Sequence, residues 1–383
     1  VENRYDYLNL NTCRFLWKQV KFPLATDASN AAVQVLKEGE VQGSDVAAHS
    51  AGVLDIRTNI LADTDALYLT AIDKYGHELW RWTFLVDKLN QQTEQLSPLS
   101  SRPTYTETEN DLTVKANKRT FIFSKKDGQL KGVSVDNRKI SFANGPRFIG
   151  ARRADRSLDQ FYNHDDEKAK EKDRTYSEFP DAAVFTKLDV KQDGGDLVVT
   201  ANYKLGNLDK AQWTINPSGD LALDYTYNFS GVVDLMGIRF DYPEDQVISK
   251  RWLGAGPYRV WQNRIHGTQY DVWENDYNDP IPGETFTYPE FKGYFGDVSW
   301  MNIQTKEGTI SLTNETPDAY IGVYQPRDGR DRLLYTLPES GISVLNVIPP
   351  VRNKVNSTDL CGPSSQPKWV NGPQTGRVIF RFM

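Results

Sequence analysis

The chain has 383 residues, a formal net charge of −6 and 39% hydrophobic residues, which is typical of a globular protein with apolar cores. The negative charge argues against a nucleic-acid partner, since proteins that bind phosphate backbones are usually basic. No apolar run approaches the roughly 20 residues of a membrane-spanning helix, so we expect no membrane partner either.

The first residues of the chain already stand in a strand-like pattern. Because Val1 lies within this pattern, we expect the sequence to be a piece of a longer protein.

The two cysteines, Cys13 and Cys361, lie far apart and form neither a metal-binding spacing nor a disulfide framework. We interpret both as buried free thiols. They leave the compartment open, with a periplasmic or secreted location slightly favoured over a cytoplasmic one.

Apolar and polar residues alternate at period two along most of the chain, which predicts an all-β fold. Hairpin turn signals separate the runs at Asp127-Gly128, Asp193-Gly194-Gly195 and Pro217-Ser218-Gly219-Asp220. The clearest predicted strands are Ala66 to Asp73, Trp80 to Val86, Leu112 to Ala116, Thr120 to Ser124, Leu197 to Tyr203, Ala211 to Asn216, Leu221 to Phe229 and Arg377 to Phe382. The best candidate for a helix is Ser157 to Asp173.

A polar stretch from Leu89 to Arg102, followed by Pro103, predicts a linker between two domains. Residues 1–92 would then form a small β-sandwich of immunoglobulin size. Residues 103–383 would form a large all-β domain, for which we expect two large facing sheets.

The strongest charge run, HDDEKAKEKDR at residues 164–174, mixes both signs and is interpreted as a solvated helix or loop. His164 stands beside Asp165 and Asp166, and this group could ligate a metal ion. Nothing else in the sequence supplies the remaining ligands, so we predict no metal site.

Glycosidases hold two carboxylates across a sugar, so acidic residues near turns are candidates for this chemistry. Asn314-Glu315 has the order of the Asn-Glu pair that ends a barrel strand in many retaining glycosidases. No alternation of strands and helices surrounds this pair, so we interpret it as a turn. Glu274 and Asp276 are also interpreted as turn residues, although they could bind a sugar hydroxyl or Ca²⁺. We therefore predict no catalytic residue.

A mutarotase-type site would need a histidine facing a carboxylate. Of His49, His77, His164 and His266, only His266 lies in an aromatic context, and we interpret it as a hydrogen-bonded packing residue.

Tryptophan and tyrosine faces stack on the C–H faces of sugars, so the aromatic residues are the better binding candidates. Most of the aromatics between residues 252 and 300 are expected to fill the core. We expect one or two at most to face a ligand, and Trp261 is the predicted carbohydrate-binding residue among them.

The segment WLGAGPYRVWQNR, residues 252–264, predicts a strand, a tight Gly-Pro turn and a loop. Gly254 and Gly256 would allow close backbone approach or a positive φ. We expect Trp252 to pack in the core and Arg264 to pair with a local carboxylate or carbonyl.

Motifs along the whole chain resemble, in family order, the C-terminal region of family 2 β-galactosidases. The first group is similar to the immunoglobulin-like domain that follows the catalytic barrel: Asn3, Arg4, Tyr5, Asp6, Tyr7, Gly76, His77, Glu78, Trp82 and Phe84. The second group resembles the small-chain domain: Phe123, Lys126, Gly128, Leu130, Trp252, Gly254, Gly256, Pro257, Arg264, Tyr288, Asp297, Val298 and Trp300.

Three segments depart from that family's pattern. Residues 258–264 replace its Glu-Asn-Tyr-x-Asp-Arg after Gly-Pro, and GPRFIGARRADRSLDQ replaces a Trp-Arg-Ala-Pro-x-Asp-Asn-Asp segment. In some members a tryptophan of the last loop enters the galactose subsite. Here the register places Cys361 or Gly362 near that position, and Trp369 follows several residues later. The resemblance therefore implies Trp369 as a second carbohydrate-binding residue, acting from a different position. These departures suggest a divergent branch whose sugar can differ from galactose.

The resemblance implies an all-β chain, with a small immunoglobulin-like β-sandwich at 1–92 and a large galactose-mutarotase-like β-supersandwich at 103–383. It implies the non-catalytic part of a retaining β-galactosidase, which supports the barrel and the rim of the sugar site and is inactive alone. An apolar face left exposed where the barrel docks is a further expectation.

The implied partners are a β-galactoside or related sugar and the N-terminal catalytic domains of the same chain. A homo-oligomer of the full enzyme stays open. No cofactor is expected here, although the full-length enzyme could hold a monovalent or divalent metal ion. Two alternatives also stay open: a free-standing carbohydrate-binding module that uses Trp261 or Trp369, and a mutarotase-like epimerase.

Overall fold

The computed structural model describes residues 1–86, 101–153, 176–276, 293–323, 338–350 and 362–383. Strands make up nearly all of the regular structure in this part of the chain, which confirms the all-β prediction. None of its helices is long and apolar enough to cross a membrane. The predicted helix at Ser157 to Asp173, the charge run at 164–174 and the linker up to residue 100 lie outside the described residues.

The chain divides into two compact units. The first contains residues 1–94 and 269–272, and the second contains residues 95–268 and 273–383. The sequence did not indicate that residues 269–272 group with the first unit, because they lie far from it along the chain. The predicted boundaries at residues 92 and 103 stay a prediction, since residues 87–100 are not described.

The first unit is built on an antiparallel sheet whose four described strands have the order β2-β1-β3-β4. These strands are β1 Arg14–Lys21, β2 Gln34–Gln42, β3 Ala66–Ile72 and β4 Glu78–Leu85. One face of the sheet packs on Leu10, Cys13 and Val46, which lie outside the strands. Cys13 is a buried free thiol, as expected, whereas Cys361 is not described. The immunoglobulin-like assignment stays a prediction.

A buried glutamine of β1, Gln19, anchors residues 58–64. The Gln19 amide nitrogen donates to the Thr58 hydroxyl at 3.0 Å and to the Asn59 carbonyl at 2.8 Å. Its amide oxygen accepts from the Leu61 backbone N–H at 2.9 Å and from the Thr64 hydroxyl at 3.0 Å. Two donors and two acceptor positions are thus all used, which offsets the cost of burying a polar group.

The same unit contains a carboxylate that residues 269–272 contribute. Asp271 accepts from the Tyr68 hydroxyl at 2.7 Å and from Arg81 at 2.6 Å. The Arg81 guanidinium also lies over the Tyr68 ring, 4.5 Å from its centroid. Burial, followed by the charge of Asp271, raises the pKa of Tyr68 well above its usual range. The phenol therefore stays protonated and keeps donating to Asp271.

The remaining described strands form two larger sheets. In chain order they are β5 Thr104–Glu107, β6 Asp111–Ala116, β7 Arg119–Ser124, β8 Leu130–Val135, β9 Arg138–Ile140, β10 Ala143–Arg153, β11 Tyr176–Glu178, β12 Val184–Asp193, β13 Asp196–Lys204, β14 Leu208–Ile215, β15 Leu221–Val233, β16 Leu235–Asp241, β17 Val247–Gly256, β18 Gln269–Asp276, β19 Trp300–Thr305, β20 Gly308–Asn314, β21 Tyr320–Val323, β22 Ile342–Val347 and β23 Lys368–Phe382.

The first large sheet has the order β21-β22-β16-β10-β8-β7-β6-β5, with β9 beside β8 and β11 beside β10. The second has the order β12-β13-β14-β15-β23-β20-β19-β17-β18. Their inner faces share one apolar core, which confirms the two facing sheets expected for this region. Phe142, the residue before β10, contacts Phe240, Phe380 and Phe382 at ring-centroid distances of 4.8, 5.0 and 5.3 Å.

The predicted strands and turns are found close to their predicted positions. Gly128, Gly194 and Gly219 adopt φ angles of 74°, 58° and 82°, as their hairpin positions require. The largest difference is at the last strand, which begins at Lys368 rather than Arg377. Glycine and proline are poor strand formers, so the sequence between these residues does not indicate a strand. The structure makes it one by pairing it with β15.

We expect Phe142→Ala to lower the free energy of unfolding by about 3–5 kcal/mol, because it removes a fully buried ring from the contact between the two sheets. Urea denaturation followed by intrinsic fluorescence measures this loss. Val184→Ala is the matched control, since that side chain is exposed on β12 and its removal should change stability by less than about 0.5 kcal/mol. Equal effects of the two substitutions would contradict the assigned core.

Candidate functional site

The segment that begins at Trp252 forms the end of β17 and the loop that follows it. The Trp252 indole N–H donates to the Ala255 carbonyl at 3.0 Å, and its ring meets Phe295 edge-on at 4.8 Å. A side chain at Gly254 would lie 3.0 Å from the carbonyl oxygens of Gly296 and Asp297. The predicted strand, the packing of Trp252 and the close backbone approach are therefore all found. Positive φ, the other reason considered for these glycines, is not adopted.

We call residues 257–268, 293–298, 348–350 and 362–369 the loop cluster, because hydrogen bonds join them. Val260 and Tyr294 exchange two backbone hydrogen bonds of 2.7 and 2.9 Å. The Gln262 backbone N–H donates to the Pro349 carbonyl at 3.0 Å. Its side-chain amide donates to the Gln366 carbonyl at 2.7 Å. Three distant segments of the chain thus meet on one loop.

A second side chain connects the same loop to the segment just before β23. Asn263 donates to the Ser365 hydroxyl at 3.1 Å, next to the Gln262–Gln366 contact. These pairs lie more than a hundred positions apart in the sequence, so no local pattern could have predicted them. Together they fix the backbone just before Trp369.

Trp261 does not fit the predicted sugar-binding role. Its side chain is fully buried and packs with Ile149, Leu235 and Ile348. The ring meets Tyr294 edge-on at 5.8 Å and 86°. Burial raises the pKa of Tyr294 well above its usual range, which reflects how completely water is excluded here. Since neither face of the indole is open to a ligand, we correct the expectation for Trp261 and assign it to the core.

Trp369 is the sequence-predicted residue that remains available to a ligand. It is the second residue of β23, pairs with Val232 on β15, and leaves 69% of its surface exposed. The next residue, Val370, packs against the core between the sheets. An indole on a fixed backbone with open faces can stack on a sugar. Its role in binding stays a prediction.

A cavity of about 320 Å³ opens on the loop that follows β17. Its lining residues are Tyr258, Arg259, Val260, Asn263, Arg264, His266 and Thr268. Arg264 is exposed, and its predicted partner is not observed in the described part of the chain. His266 is exposed too, which corrects its interpretation as a packing residue.

The structure also places Asn314-Glu315 and the two carboxylates Glu274 and Asp276. Asn314 donates to the Val298 carbonyl and Glu315 pairs with Arg377 at 2.9 Å, so the turn predicted there is found. Glu274 and Asp276 lie on β18, which corrects their interpretation as turn residues. No described group of three or more His, Cys, Asp or Glu side chains is arranged to hold a metal ion.

Comparison with known proteins gives one family match. A family model described as the beta galactosidase small chain matches residues 115–348. No curated protein matches the chain in sequence. A galactose 1-epimerase from Lactobacillus acidophilus NCFM is similar in structure at 9% identity, over 74% of this chain and 99% of that chain, with a TM-score of 0.42. A GalM/aldose epimerase homologue from C. elegans is similar at 9% identity, over 73% and 99%, with a TM-score of 0.35.

We expect Gln262→Ala to release the segment before Trp369, because the variant loses the hydrogen bond to the Gln366 carbonyl. Backbone amides of residues 362–370 should exchange with deuterium at least several-fold faster, as the loss of about 1 kcal/mol implies. Mass spectrometry of peptic peptides measures this. Gln374→Ala is the control, since its side chain donates to the carbonyl of its neighbour Pro373 and to no other described residue. Unchanged exchange in Gln262→Ala would show that the Gln262–Gln366 hydrogen bond does not hold this segment.

Proposed function

Because the chain belongs to the beta galactosidase small chain family, we propose that it is a non-catalytic C-terminal part of a β-galactosidase-type enzyme of glycoside hydrolase family 2. In the full enzyme a separate barrel would carry the acid/base and nucleophile carboxylates of a retaining mechanism. The chain would support that barrel and contribute to the rim of the sugar site. No carboxylate described here is assigned a catalytic role.

The observation that carries this proposal is an aromatic row on β4, formed by Trp80, Trp82 and Phe84. These side chains alternate along the strand, so all three point to one face of the sheet. They leave 37%, 40% and 51% of their surfaces exposed. Single exposed hydrophobics are common on protein surfaces, but a continuous apolar row usually marks an interface.

The aromatic row lies on the same face of the sheet as the buried core residues of the first unit. Trp82 pairs with Leu69 and Trp80 with Ala71, and both partners belong to the buried cluster. β4 is the last strand on this side of the sheet among the residues that the structure describes. An exposed hydrophobic edge promotes aggregation unless another surface covers it. This supports the expectation of an apolar face where the barrel docks.

Trp369 supports the second part of the proposal, a contribution to the sugar rim. Its exposed indole stands on a backbone that Gln262 and Asn263 hold in place. The same exposure is what favours the alternative of a free-standing carbohydrate-binding module. In that case Trp369 would bind sugar without the barrel.

The mutarotase-like alternative receives no support from the described histidines. His49 lies 3.2 Å from Asp6 and His77 lies 3.2 Å from Asp73, but both imidazoles are on the open surface of the first unit. His266 lines a cavity whose described residues include no carboxylate. An acid–base pair must face each other across an enclosed sugar, and no described histidine has that arrangement.

We expect this chain to hydrolyse no nitrophenyl β-galactoside, because the proposed enzyme keeps its catalytic carboxylates in the barrel. A colorimetric assay with concentrated protein measures this. Turnover that a single carboxylate substitution abolishes would contradict the proposal.

Calorimetry with sugars distinguishes the two roles proposed for Trp369. Sugar binding that Trp369→Ala eliminates would favour the carbohydrate-binding module. A Trp369→Ala variant that binds sugar like the wild type is compatible with a residue at the rim of the sugar site.

We expect the triple variant Trp80→Thr, Trp82→Thr and Phe84→Thr to remain folded and to bind less of a hydrophobic dye such as anilinonaphthalene sulfonate. Threonine keeps the strand propensity of β4 while removing the exposed rings. Dye fluorescence, light scattering and circular dichroism measure the outcome. Tyr105→Thr is the control, since it removes an exposed aromatic side chain from β5 in the second unit. Unchanged dye binding in the triple variant would contradict an apolar docking face.

A further inference from the structure

The outer face of the second large sheet carries an ordered array of polar side chains on β14, β15 and β23. Inner residues of β15 such as Leu223 and Tyr225 are buried, so Asp224 and Thr226 point outward. Strand register aligns three side chains in each of two rows. One row is Gln212, Asp224 and Arg377, and the other is Lys210, Thr226 and Thr375. At strand spacings of about 4.8 Å and residue spacings of about 7 Å, the array is roughly the size of a sugar ring.

The turn after β20 forms a wall beside this array. The Glu315 backbone N–H donates to the Arg377 carbonyl at 3.0 Å. The buried Thr316 hydroxyl donates to the same carbonyl at 3.0 Å and accepts from the Arg377 backbone N–H at 2.9 Å. Asn314 donates to the Thr316 carbonyl at 3.2 Å. The Asn-Glu pair noted in the sequence thus fixes this wall to β23.

A cavity of about 380 Å³ lies between the wall and the array. Pro317 adds an apolar surface to its lining, beside the charged and amide groups. Its volume is within the range of small-molecule sites. Exposed ion pairs alone contribute little free energy, but here a hydrogen-bonded turn borders the array on one side and leaves an open cleft beside it.

Arg377 is oriented from two sides. Its Nε donates to Glu315 at 2.9 Å and its Nη1 donates to Asp224. Burial lowers the pKa of Arg377, but the hydrogen bonds and charges of Asp224 and Glu315 raise it overall. A planar guanidinium held by two carboxylates presents its remaining N–H groups in fixed directions.

The charges of the cavity balance. Lys210 and Arg377 contribute two positive charges, and Asp224 and Glu315 contribute two negative charges. An anion would face the two carboxylates and a cation would face Lys210 and Arg377, so a neutral ligand is favoured. A flat aromatic ligand would need a ring to stack on, and the described lining offers only Tyr225, whose ring is buried.

We propose that this cavity binds a saccharide. A sugar hydroxyl is both a donor and an acceptor, so it can donate to Asp224 or Glu315 while accepting from Lys210 or Gln212. Pro317 can contact the C–H face of the ring. The site shares no residue with the loop cluster, so sugar binding here can be tested independently of the role of Trp369.

The test compares binding of galactose, lactose, glucose and N-acetylglucosamine to the wild-type chain and to two variants, Gln212→Ala and Lys210→Ala. Neither side chain has a hydrogen-bond partner among the described residues, so its removal should not disturb the fold. We expect at least one sugar to bind with a dissociation constant in the millimolar range. Each substitution should weaken binding about 5- to 10-fold, the effect of one hydrogen bond. Saturation-transfer NMR and calorimetry measure both.

Thr214→Ala is the matched control, because Thr214 is on the same strand and the same outer face but does not line the cavity. It should bind like the wild type. Absence of binding for all four sugars would overturn the saccharide site, while the absence of turnover would still stand for the proposed function. Binding that resists both substitutions and disappears in Trp369→Ala would also overturn it and place the sugar at the loop cluster. Binding of inorganic phosphate in place of sugar would overturn the choice of a neutral ligand.

Discussion

The pairing of β15 with β23 is the interaction on which the rest of the second unit depends. It runs along all 13 residues of β15, from Leu221 opposite Phe380 to Val233 opposite Lys368. Inward-facing residues of this ladder contribute to the core between the two large sheets, including the ring of Phe380 against Phe142. Outward-facing residues contribute Asp224 and Arg377 to the polar cavity.

The same ladder also positions the exposed tryptophan. At its far end Trp369 stands opposite Val232, and the loop cluster secures the chain just before it. A core, a polar array and a candidate rim residue therefore share one pair of strands. A substitution that shortens the ladder should affect all three together, whereas a substitution on its outer face should affect the array alone.

Sequence alone could predict the strands and the faces of this fold, but not which distant residues meet. Alternation in Leu221 to Phe229 predicts which residues point outward, because that period is a local property. It does not say that Arg377 lies opposite Asp224, since register between distant strands depends on the whole sheet. Trp261 shows the same limit: its aromatic context fits a sugar platform or a core equally well, and only the packing of Ile149 and Ile348 decides between them. Alternation likewise predicts the strand at Trp80 to Val86, whereas the exposure of Trp80, Trp82 and Phe84 comes from the structure.

The central position of β23 has a consequence for how the protein is made. Its partners β15 and β20 come earlier in the chain, and β23 lies between them in the sheet. During synthesis, the second large sheet therefore remains split into two parts, each with an open edge, until residues 368–382 emerge from the ribosome. Long-range strand pairing of this kind is slow and leaves apolar surface exposed in the meantime. A nascent chain therefore keeps two unpaired strand edges until β23 joins the two parts of the sheet.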